Sequence, residues 1–222
     1  MKIVKQSYRI LSKIEGKEML KNIERAGRTC YKSEDKITDE SAEKFIKMLI
    51  DRGHESVLEH EKFSVLFICD RGVSHEIVRH RIASFSQEST RYCNYSNDKF
   101  EGQITYIAPE WLIDWDIEAI NNGDWSNCDE DAKQWAECLK MCEDTYNFLI
   151  NCPNKWLPQQ ARSVLPNALK TEIVVTANLR EWRTIFKQRT AKAAHPQMRE
   201  LMCPLLDEIK TIIPVVFNDV VY

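Results

Sequence analysis

The run from Arg79 to Tyr92, R-H-R-I-A-S-F-S-Q-E-S-T-R-Y, cannot be packed into a hydrophobic core, so the fold must display it. Its fourteen residues include three arginines, a histidine, three serines, a threonine, a glutamine and a glutamate. The apolar side has only Ile82, Ala83, Phe85 and Tyr92. Guanidinium forks and short hydroxyls at that density suit a surface that grips a phosphate and the edge of a heterocycle. A merely solvated loop explains most charge runs. Here the interleaved serines and aromatics, and the apolar helix leading in, favour binding, because a solvated face would mix lysine with glutamate.

At 222 residues and 43% hydrophobic content, the chain can bury a sizeable core as one large domain or two small ones. A formal net charge of -3 disfavours a general nucleic-acid or membrane binder, so the local arginine excess is aimed at a small anion. Eight cysteines without a C-x-x-C pair, and no apolar leader after Met-Lys-Ile-Val, predict reduced thiols in the cytoplasm. No apolar run reaches membrane-spanning length.

Along the chain, residues 2–11 read as a first strand. Gly16 to about Thr29 reads as a helix with Met19, Leu20, Ile23 and Ala26 on one face. Arg28-Thr29-Cys30-Tyr31 follows as a turn polar enough to bind. Thr38 is placed to cap a helix carrying Ala42, Phe45, Ile46 and Leu49 inward and ending at Gly53. Ser56 and Glu59 have capping-box spacing and predict a short helix with free N–H groups. His54 and His60 lack a regularly spaced third ligand and read as structural histidines. Residues 63–69 read as a buried strand, Asp70-Arg71-Gly72 as a turn, and Ser74 as the cap of a helix delivering Arg79, His80 and Arg81 at its end.

Residues 103–107 predict a strand, Pro109 the start of a tryptophan-bearing helix, and 121–130 a flexible surface insertion. A long helix from Asp131 to Leu149 has Trp135, Leu139, Cys142, Tyr146 and Leu149 on one stripe. Its Cys138 and Cys142 read as small core residues. A proline-bounded helical turn at 156–166 leaves Arg162 as its one charge. Lys170 to Ala177 is a β-branched strand, after which Asn178 caps a helix with Leu179, Trp182, Ile185 and Phe186 inward and Arg180, Thr184 and Lys187 on another face. His195-Pro196 opens a last helix with Met198, Met202, Leu205, Ile209 and Ile212 inward, and Pro204 predicts a kink. The pattern gives an α+β fold, with a mostly antiparallel sheet from the four strands packed with long helices.

Arginines come from well-separated elements: Arg79, Arg81, Arg91, Arg162, Arg180 and Arg189. If they converge, the ligand is polyanionic, and a phosphate-bearing nucleotide fits better than a carboxylate. With six glycines, none adjacent, there is neither G-x-G-x-x-G nor G-x-x-x-x-G-K-[ST]. Rossmann and P-loop sites are therefore excluded, and side chains must hold the nucleotide.

Arg79-His80-Arg81, seven residues, then Ser89 reproduces the R-H-R-x7-S signature of the flavin-dependent thymidylate synthases. The chain resembles that family along most of its length. The resemblance includes Gly53-His54-Glu55-Ser56 with Glu59-His60, Ala161-Arg162-Ser163-Val164-Leu165-Pro166, and Asn178-Leu179-Arg180 leading to Arg189. It implies the thymidylate synthase-complementing protein fold over residues 1–222 as a single domain. It also implies a homotetramer with shared active sites, FAD, dUMP as acceptor, methylenetetrahydrofolate as carbon donor and NADPH as reductant. By the same resemblance, His54, Ser56, Glu59, Arg79, His80, Arg81, Gln87, Asn178, Leu179, Arg180 and Thr184 hold FAD. Glu76, Ile77, Val78, Arg79, Gln87, Glu88, Ser89, Thr90, Arg91 and Arg162 hold dUMP, and Arg189 faces the uracil edge as the catalytic residue.

Departures from the family pattern are Glu76, where many members are neutral or basic, Gln87, where others have Glu, and Thr184, where some have an amide. The family needs no cysteine nucleophile, which leaves Cys93 an ordinary thiol. The rival reading is a single-stranded RNA-binding module using Arg79–Tyr92 as a basic stripe. Net acidity and the lack of lysine clustering there count against it.

Overall fold

The computed structural model describes residues 1–97 and 101–222. The chain forms two compact units. One is built from Met1–Ser7, Phe67–Ile77 and Ser86–Ile173, the other from Tyr8–Leu66, Val78–Phe85 and Val174–Tyr222. Helices and sheet are mixed, as the pattern predicts. The expected single sheet is instead two. Residues 2–11 are not one strand but two, β1 (Lys2–Val4) and β2 (Ser7–Ile10), in different sheets. The break falls at Lys5-Gln6. β1 pairs in parallel with β5 (Thr105–Ile107), Ile3 opposite Tyr106. The other four strands form an antiparallel sheet in the order β2, β3 (Lys62–Asp70), β6 (Lys170–Asn178), β4 (Ser84–Gln87).

In the first unit, Asp70 ends β3, and Arg71 immediately opens α3 (Arg71–Ile77), so the expected turn is absent. The cap is Asp70, whose carboxylate accepts the Val73 N–H at 2.6 Å, and not Ser74, whose hydroxyl donates to the Arg71 carbonyl. α3 ends before Arg79, leaving the basic triplet in a turn. The tryptophan-bearing helix α4 (Asp114–Asn122) begins five residues after Pro109. The following loop is pinned by half-buried Trp125, whose indole N–H donates to the Ile120 carbonyl. α5 (Glu130–Asn151) buries Ala132, Ala136, Leu139 and Tyr146, and also Glu143. That carboxylate accepts from the Ile104 N–H at 2.8 Å and from Lys140 at 2.8 Å, which makes its burial tolerable. Cys138 is exposed, correcting its core assignment, and Cys142 is half-buried. α6 (Pro158–Ala161) and a 3-10 turn at Arg162–Val164 complete the unit.

In the second unit, α1 (Gly16–Tyr31) runs through the residues read as a turn, Arg28 to Tyr31. It buries Glu24 and Gly27, leaving Ala26 half-buried. α2 (Ser41–Asp51) starts three residues past Thr38; the Ser41 hydroxyl accepts the Thr38 N–H, reversing the expected cap. Gly53, at φ +72°, supplies the left-handed residue beyond its end. The short helix is a 3-10 turn, Glu55–His60, which begins before Ser56, so Ser56 cannot cap it. α7 (Leu179–Arg189) is capped as expected, the Asn178 side chain accepting the Glu181 N–H at 2.8 Å. Trp182 stacks on Phe63, ring centroids 4.6 Å apart, and donates its indole N–H to the Phe63 carbonyl. α8 (Pro196–Ile212) contains Pro204 and is followed by α9 (Pro214–Phe217), which sequence reading did not separate. Phe217 meets Phe186 edge-on.

Candidate active site

β4 leads straight into the polar run of the first unit. Pairing places Glu88 against β6, its N–H donating to the Glu172 carbonyl at 2.8 Å. The Gln87 amide then donates to Ser74 at 2.9 Å and Thr171 at 3.3 Å. Arg71 donates to the Glu88 carbonyl and the Thr171 hydroxyl. Sequence reading missed Arg71, because a lone arginine in an apparent turn gives no sign that a strand end and a helix start meet there. The Glu88 carboxylate accepts from Tyr95 O–H at 2.7 Å and Lys170 at 3.4 Å. Burial and the facing carboxylate drive the Tyr95 phenol far up, so it remains a donor. Burial disfavours the Lys170 cation, but Glu172 and Glu88 outweigh it and raise its pKa.

Beyond β4 the chain turns on Ser89, whose carbonyl accepts the N–H groups of Tyr92 and Cys93. The Ser89 hydroxyl accepts the Arg91 N–H, and the buried Thr90 hydroxyl accepts from Arg162 at 3.1 Å. Thr90 therefore draws the 3-10 turn and the polar run together, and Arg91 and Arg162 are both exposed beside it. Six of the expected substrate residues are thus held along one run of chain and the turn bonded to it: Gln87 and Glu88 bridged through Thr171 and Arg71, Ser89 bonded to Arg91, and Thr90 to Arg162. Glu76 is half-buried on α3. Ile77 is 1% exposed, its side chain packed in the core.

In the second unit, His80 is 6% exposed. Its Nε2 accepts from Arg189 Nε at 2.9 Å, which puts the imidazole proton on Nδ1, 3.5 Å from Glu181. Burial, with the neighbouring Arg189 cation, lowers the His80 pKa to about 4, so the Glu181 contact involves a neutral ring. Burial also raises the Glu181 carboxyl. Arg180 pairs with Glu59 at 2.6 Å, and Thr184, one turn on, bonds back to the Arg180 carbonyl. Exposed His54 meets the Tyr31 hydroxyl at 3.2 Å, and Ser56 is exposed beside it. Arg79 and Arg81 are exposed and make no hydrogen bond or ion pair among the described residues. Val78 is half-buried. Leu179 is wholly buried and its N–H donates to the Glu61 carbonyl.

The thymidylate synthase complementing protein family matches residues 10–215, which include every element just described that carries a candidate residue. The chain belongs to this family. A flavin-dependent thymidylate synthase of Geobacter sulfurreducens is 32% identical over 202 residues, covering 87% of this chain and 78% of that protein. One of Pyrococcus furiosus is 31% identical over 185 residues, covering 82% and 68%. A UMP/dUMP methylase, PolB of Streptomyces cacaoi, solved with 5-Br dUMP bound, shares the fold at TM-score 0.75. Its identity is 18%, with 98% of this chain and 96% of that chain covered. Among the described residues no helix is long and apolar enough to cross a membrane.

Proposed function

We propose that this member of the family reductively methylates dUMP to dTMP. The reaction uses 5,10-methylenetetrahydrofolate as carbon donor and NADPH as reductant through bound FAD, in a cytoplasmic homotetramer. The eight free cysteines fit a reducing compartment. The observation that carries the chemistry is the bond from Arg189 to a neutral His80. A guanidinium stays protonated, so Arg189 is no general base. It is an oriented cation, and His80 commits its Nε while adding no second positive charge. Set at the uracil edge, it stabilises the negative charge that develops on the pyrimidine and favours ionisation at N3.

The Ser89 and Thr90 N–H groups take no backbone carbonyl among the described residues, and with Arg91 and Arg162 they suit the dianionic 5′-phosphate. Gln87, fixed at its amide nitrogen, holds a defined polar edge toward the nucleotide.

The second unit fits FAD by its donor set. Two exposed guanidiniums, Arg79 and Arg81, unpaired among the described residues, match a pyrophosphate, while Ser56 and Thr184 offer hydroxyls, His54 an imidazole, Asn178 an amide and the Glu59–Arg180 pair a carboxylate and a guanidinium. When bound, the flavin supplies redox chemistry that no side chain of this protein has. The protein's part is to bind it, orient it and keep water away.

Purified protein should show flavin absorbance, or gain it when FAD is added. Arg189→Ala should keep the flavin and lose turnover by about 100-fold or more. Loss of flavin from that variant would show that Arg189 holds the cofactor instead.

A further inference from the structure

Arg183 lies on α7, 1% exposed, and sequence reading gave it no role. Its two terminal nitrogens grip Asp219 at 2.6 and 2.7 Å, and one also reaches Glu55 at 3.1 Å. A further bond runs to the Val216 carbonyl, while Nε has no partner. A buried ion cluster with one N–H unsatisfied is a poor stability device, since well-packed apolar residues generally do as well or better. What such a cluster does supply is fixed geometry. Glu55 is the first residue of the 3-10 turn, between His54 and Ser56, and the turn is otherwise held by Val57 and Leu58 in the core and by Glu59 on Arg180. Arg180 and Arg183 stand one turn apart on α7, so the same helix pins both ends of the segment.

We propose that Asp219, through Arg183 and Glu55, is a positioning residue for the flavin. The chain's C-terminal segment clamps the loop that presents His54 and Ser56, so cofactor affinity depends on a contact remote from the cofactor. This rests on the flavin assignment made above. Asp219→Asn keeps the side chain's shape while removing its charge, and Glu55→Gln tests the other end of the clasp.

FAD titration of the apoprotein, followed by flavin fluorescence, should show binding about tenfold weaker in both variants. The dUMP KM should be unchanged and kcat restored at saturating FAD. Asp219→Glu, which keeps the carboxylate, should recover much of the affinity. If either variant loses thermal stability as apoprotein while binding FAD like wild type, Arg183 is only an anchor for the C-terminus and the proposal fails. If His54→Ala also binds FAD like wild type, the flavin assignment fails first, and the clasp with it.

Discussion

His80 stands between Arg189 and Glu181, and its pKa of about 4 against an ordinary 6.5 has a testable sign. Between those values the unfolded chain binds a proton that the folded protein refuses. Stability should therefore be undiminished by this group above about pH 6.5 and fall progressively toward pH 4. The raised Glu181 carboxyl acts in the opposite direction, so the informative quantity is the difference between wild type and His80→Gln. Glutamine keeps an acceptor for Arg189. Denaturant midpoints of the variant should lose this part of the pH dependence; parallel profiles would mean that His80 is protonated in the folded state. Asn178 was legible because an amide just before an apolar helical stripe has few uses besides capping it, whereas the roles of Arg180 and Arg189 came from the family resemblance. Arg183 was not. One turn of α7 presents Trp182 and Arg183 both inward, and nothing local distinguishes a buried arginine from a solvated one until the carboxylates of Asp219 and Glu55 are brought to it.

At the scale of elements, 3.6-residue periodicity gave α2, α5, α7 and α8, and β-branched runs gave β3 and β6, because each buries one continuous face. The strand failures share a cause. β5 was found within 103–107, but β1, β2 and β4 have three or four residues each and exist through their partners, so the break between β1 and β2 and the presence of β4 leave no readable pattern. Polar Ser84–Gln87 forms a strand because β6 offers it an edge, and that pairing is what aligns Gln87 and Glu88. Capping was misread for different local reasons: the Asp70 carboxylate takes the N–H expected of Ser74, and the Ser41 hydroxyl takes the N–H of Thr38 itself. Packing of α1 on α2 offers a test. A Cβ at Gly27 would lie 2.7 Å from Phe45 Cε1 and 3.3 Å from Leu49. Alanine would gain about 1 kcal/mol of helix propensity, but overpacking a buried aromatic costs about 1–3 kcal/mol. Gly27→Ala should thus be destabilised in urea melts, with dUMP KM unaltered. A stabilised variant would mean that Phe45 can move aside.

For the whole molecule, the family match runs over residues 10–215, and the two polar neighbourhoods proposed above, around Thr90 and Arg162 and around Arg180 and Glu59, both fall within it. Met141 and Phe148 on α5 are 70% and 69% exposed, and Ile82 and Tyr92 in the polar run 74% and 79%. Apolar surface of that kind suits an assembly, and mass photometry should give a tetramer. A monomer at micromolar concentration would remove the homotetramer from the proposal. The most direct measurement is tritium release from 5-tritiated dUMP by the purified protein supplied with FAD, NADPH and methylenetetrahydrofolate. Release into water that requires all three, and is abolished in Arg189→Ala, is the predicted result. No release from a folded, flavin-loaded protein would contradict the account.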